Sequence, residues 1–152
     1  PLTETWQLLR DRASQLRPAR EMLQVGAELI GSDSVPAASE VVAIAIDALE
    51  AAGIGPVTVD FTLPDALERL AAPGTDPDHL AAIAAALDGK DAGALAQLGA
   101  REWLPLLAAT GNFAPALAAL RQFDHAGQLT AQLAALESIA ARIGSRARLM
   151  LD

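Results

Sequence analysis

The sequence predicts an α+β fold: a short sheet with one covering helix, a small helical insertion, and a return to the sheet. Three observations carry this expectation. Residues 56–63 (PVTVDFTL) alternate apolar and polar side chains with the period of two that a half-buried strand requires. Val41, Val42, Ala45, Ile46 and Leu49 recur at helical spacing, between Pro36 at a helix start and Gly53 and Gly55 at its end. From Pro64 onward the chain turns into short Ala/Leu stretches broken by Gly, Pro or Asp.

Taken in order, residues 2–9 mix Thr, Trp, Gln and Leu and read as a strand. Residues 11–20 are polar, contain Pro18, and read as a loop. In residues 21–30, Leu23, Val25, Ala27 and Leu29 point one way while Met22, Gln24, Gly26 and Glu28 point the other. A helix there would hold Gly26 at its middle at a cost of about 1 kcal/mol, so a strand is expected. Residues 31–35 form a turn before the helix. Further helices are expected at 64–72, 78–87, 92–98, 102–109, 114–123 and 126–143. Asp76 before Pro77 has the form of an N-cap, and Gly144 that of a helix end. Residues 146–151 are strand-like. The helices share composition without a fixed period, so no solenoid is expected. The expected partition is core at 1–63, helical insertion at 64–125, and return to the core at 126–152. Because the chain opens on Pro1 and stops at Asp152 directly after a strand-like run, it reads as a piece of a longer protein.

Composition narrows the function classes. Hydrophobic residues make up 52% but aromatics only 3%, so alanine and leucine must supply most of the core. There is no cysteine, which excludes disulfides, thiolate metal sites and thiol nucleophiles. No apolar run has the length of a membrane span, and the expected location is cytoplasmic. A formal net charge of −8 disfavours a nucleic-acid partner, since a polyanion would meet an acidic surface.

The stretch richest in chemistry is 10–31, RDRASQLRPAREMLQVGAELIG. Arg10, Arg12, Arg17 and Arg20 are four of the eleven cationic side chains, gathered in one segment of an acidic protein. Such a cluster suits bidentate recognition of phosphate or carboxylate; it also suits a plain solvated hairpin loop. Gln24 and Glu28 share one strand face, roughly 13 Å apart at about 3.3 Å per residue, with Gly26 clearing the space between them. Either a small ligand lies over Gly26, with an amide at one end and a carboxylate at the other, or the face is wet and Gly26 marks a bulge. His79 and His125 have no partner at metal-ligand spacing, so no metal site is expected. Asp60 lies on the polar face of its strand. Trp6 and Trp103 read as packing anchors. No phosphate-loop, dinucleotide or nucleophile-elbow pattern is present.

The pattern R-x-R-x-S-Q-L-R-P-x-R-E-x-L-Q-x-G-A-E-L-I-G resembles the motif 2 hairpin shared by histidyl-tRNA synthetases and the synthetase-like regulatory subunits of ATP phosphoribosyltransferase. The run SEVVAIAIDALEAAGI resembles the helix that follows it, and the spacing to VTVDF also fits. The strong resemblance covers the first 63 residues or so. It implies a class II aminoacyl-tRNA synthetase-like antiparallel sheet with flanking helices. It further implies that Arg10 faces a phosphate or substrate carboxylate, that Gln24, Gly26 and Glu28 line a histidine pocket, and that Arg17 and Arg20 serve an anion. Synthetases carry a glutamate two residues after the motif 2 arginine, where it holds the adenine of ATP. Arg12 stands there and cannot accept a hydrogen bond from the adenine amino group.

That departure turns the expectation from enzyme to regulator. The resemblance then implies a non-catalytic subunit without cofactor, with histidine as effector. Its partner would be the catalytic subunit of ATP phosphoribosyltransferase, met as a homodimer within a hetero-oligomer. A fragment of a histidyl-tRNA synthetase catalytic domain is the alternative, and a plain interaction module built on the Ala/Leu helices is a third reading.

Overall fold

The structure, a computed structural model, describes the backbone of residues 2–9 and 21–152, with side chains from Val25 onward. The chain divides into two compact units, Pro1–Gly55 and Pro56–Asp152.

The first unit holds the expected hairpin. Strand β1 (Leu2–Leu9) pairs antiparallel with β2 (Glu21–Glu28), in a register that sets Leu2 opposite Glu28 and Leu9 opposite Glu21. Helix α1 (Val35–Ala51) follows. Its start is built from sequence-local parts: Ser34 in extended backbone accepts from the Ala37 N–H at 3.4 Å, and Pro36 occupies the first turn, where its missing donor costs nothing. Its end is a Schellman turn. Gly53, at φ +75°, donates to the Glu50 carbonyl and Ile54 to the Leu49 carbonyl, both at 2.9 Å, a conformation that glycine adopts without a Cβ penalty.

The second unit carries a three-stranded sheet of order β3-β5-β4, made from β3 (Thr58–Phe61), β4 (Gly111–Asn112) and β5 (Arg148–Leu151). Alternation along β3 is as read from the sequence: Val57 and Val59 are half-buried, Phe61 is buried, and Thr58, Asp60 and Thr62 are exposed. The expected antiparallel sheet is met only in part, because β3 and β5 run parallel, with Thr58 opposite Arg148 and Phe61 opposite Leu151. Parallel neighbours need a long crossover, which the helical residues between them supply. Only β4 adds an antiparallel neighbour, through Gly111 opposite Leu151.

The crossover contains α2 (Ala66–Leu70), α3 (Pro77–Asp88), α4 (Ala92–Gln97), a 3-10 segment (Arg101–Ala108), α5 (Phe113–Phe123) and α6 (Thr130–Ile143). Asp76 caps α3 through the Asp78 N–H, with Pro77 at the first position, as the sequence suggests. Asp91 caps α4 by accepting from the Ala94 N–H at 2.9 Å. Removing that cap in Asp91→Ala is expected to cost about 1 kcal/mol, measured by urea unfolding.

Two further boundaries differ from expectation. The 102–109 stretch is a 3-10 segment, because Pro105 in its interior has no N–H to give an α-helical ladder. Helix α6 begins at Thr130, not near Ala126, because the buried Asp124 carboxylate draws the preceding backbone into a turn: Oδ1 accepts from Gln128 N–H and Oδ2 from Leu129 N–H, each at 2.7 Å.

Aliphatic side chains, leucine and isoleucine above all, dominate the core. Ile83, Ala86, Leu95, Ala100 and Trp103 form one buried cluster, where Trp103 meets Phe123 with ring centroids 5.7 Å apart. Leu133, Leu136, Ala140 and Ile143 line the buried side of α6 at spacings of three and four. Phe61 rests against Phe113 at 5.3 Å and joins the sheet to α5.

Candidate functional site

Strand β2 brings the expected ligand-face positions into one register: Gln24 opposite Trp6, Gly26 opposite Glu4, and Glu28 opposite Leu2. Gly26 is half-buried and Glu28 exposed. The Gln24 side chain lies outside the described residues, as do Arg10, Arg12, Arg17 and Arg20 altogether.

Helix α1 attends the other side of that strand. Val25, Gly26 and Ala27 of β2, with Val41, Ile44, Ala45 and Ala48 of α1, enclose a cleft of about 330 Å³. The helical residues recur at three and four, so one stripe of α1 faces the strand. Val25 and Ala27 give side chains to the wall, whereas Gly26 gives only main chain. Alternation assigns the Glu28 side chain to the opposite face. The side chains lining this cleft are apolar and offer no charged group to an effector.

A second concavity, for which sequence reading has no candidate, lies wholly in the second unit. A cavity of about 150 Å³ opens where the polypeptide leaves the carboxyl ends of β3 and β5, with Leu63 and Asp152 in its wall. Its inner wall includes Leu87, Leu106, Leu107, Leu120 and Leu151, and its polar lining is Asp88, Lys90, Thr110 and Asp152. Lys90 Nζ donates to Asp152 Oδ1 at 3.2 Å. Lys90 is also the one described non-glycine residue at positive φ, at +51°. It is held there at the end of α3 by its own N–H on the Leu87 carbonyl at 2.9 Å and by the Asp91 N–H on the Ala86 carbonyl at 2.8 Å. A Gly–Lys pair after a helix is the only sequence trace of this arrangement; the leucines come from segments far apart in the chain.

The remaining candidates stay apart. His125 and Asp60 are exposed, and His79 is half-buried on α3. Among the described residues no group of three His, Cys, Asp or Glu side chains could hold a metal ion. No described helix is long and apolar enough to cross a membrane. Trp103 is a packing residue, buried against Phe123.

The order of elements along the chain, an antiparallel strand pair followed by helix α1 and then strand β3, is the order that the motif 2 resemblance implies. Residues 5–152 match the family model described as histidyl-tRNA synthetase, and the chain belongs to that family. Within it, the chain is similar to three proteins named ATP phosphoribosyltransferase regulatory subunit. It is 38% identical to that of Rhodospirillum centenum over 127 residues, covering 81% of this chain and 33% of the relative. The Paramagnetospirillum magneticum protein is 40% identical over 127 residues, covering 81% and 34% respectively. The Rhodospirillum rubrum protein is 35% identical over 146 residues, covering 93% and 38%. The chain thus spans about a third of the length of these curated relatives. No solved structure matches it.

Proposed function

We propose that this chain belongs to a regulatory subunit of ATP phosphoribosyltransferase, acting without catalysis of its own in cytoplasmic histidine biosynthesis. It binds histidine on the Gln24, Gly26 and Glu28 face of β2, with Arg10 toward the carboxylate and Arg17 and Arg20 toward an anion. Occupancy modulates a catalytic subunit, with the regulatory chains paired as a homodimer in the hetero-oligomer. Regulation of this kind requires that histidine favour one conformational state of the complex over another.

The observation that carries the reading is the identity of 35–40% to proteins named as that regulatory subunit, over 81–93% of this chain. Arg12 supports it independently, since a cation in place of the adenine acceptor disfavours adenylate formation. An exposed Glu28 on the strand face away from the apolar cleft leaves a carboxylate available to an ammonium or imidazole.

Histidine is expected to raise the melting temperature of the protein, and the catalytic subunit to co-elute with it. Glu28→Gln should weaken histidine about tenfold, as expected for loss of one charge-assisted hydrogen bond. Absence of both the histidine shift and the co-elution would overturn the proposal. Intact regulation after neutral substitutions at Gln24 and Glu28 would point to a plain interaction module. The synthetase description of the family model keeps one rival: histidine-dependent ATP–pyrophosphate exchange, strengthened in Arg12→Glu, would establish an enzyme.

A further inference from the structure

No further inference is drawn: the strongest candidate, the apolar cleft between β2 and α1 with the exposed Val25 and Leu49 in its wall, carries nothing because nothing in the structure shows what covers it.

Discussion

Replacing Trp103 by alanine is expected to destabilise the second unit by about 3–5 kcal/mol, the largest effect of any single truncation considered for this chain. Aromatic side chains are few in this protein, at 3% of residues, so each fills a volume that alanine and leucine neighbours cannot close. Trp103 lies 7% exposed among Ile83, Ala86, Leu95 and Ala100, and its ring meets Phe123. Its loss removes buried apolar area and leaves a void bounded by three separate elements. The melting temperature should fall on the order of 15 °C for a unit of this size, read by thermal or urea unfolding. Trp103→Phe, which keeps a ring against Phe123, should lose less than half as much. A loss below about 1 kcal/mol for the alanine variant would contradict the packing described, since core truncations of this size do not come so cheaply.

Asp124→Ala is the second large effect, expected at about 3 kcal/mol from two charge-assisted hydrogen bonds. The carboxylate is 9% exposed, and each oxygen holds one backbone N–H, from Gln128 and Leu129, at 2.7 Å. Without it, the Leu129 N–H has no described acceptor while the Leu129 side chain stays fully buried. Asp124→Asn keeps one acceptor oxygen and should lose about half as much, since one of the two bonds survives. Equal losses in the two variants would show that charge, and not the pair of acceptors, holds the turn.

Much of the chain could be read from local pattern. The β1–β2 hairpin, the start of α1 at Ser34 and Pro36, its end at Gly53, and the cap at Asp76 each depend on neighbours within a few residues. Period-two alternation in 56–63 likewise foretold the buried Phe61 and the half-buried Val57 and Val59. The strand β2 itself was legible for the same reason, from alternation across residues 21–28.

Other features depend on burial or on partners distant in the chain. The delayed start of α6 follows from a buried carboxylate that composition cannot distinguish from a solvated one. Parallel pairing of β3 with β5 depends on how the crossover helices pack, and period-two alternation is the same in parallel and antiparallel neighbours. The cavity beside Lys90 gathers leucines from the 3-10 segment, α3, α5 and β5, each unremarked in its own stretch.

The amino-acid order thus set, through contacts a few residues long, where most strands and helices begin and end. Tertiary packing decided strand direction, the burial of the Asp124 carboxylate that holds the turn before α6, and which polar side chains meet above buried leucines. Those outcomes depend on surface buried between segments far apart in the chain, and no local periodicity encodes that.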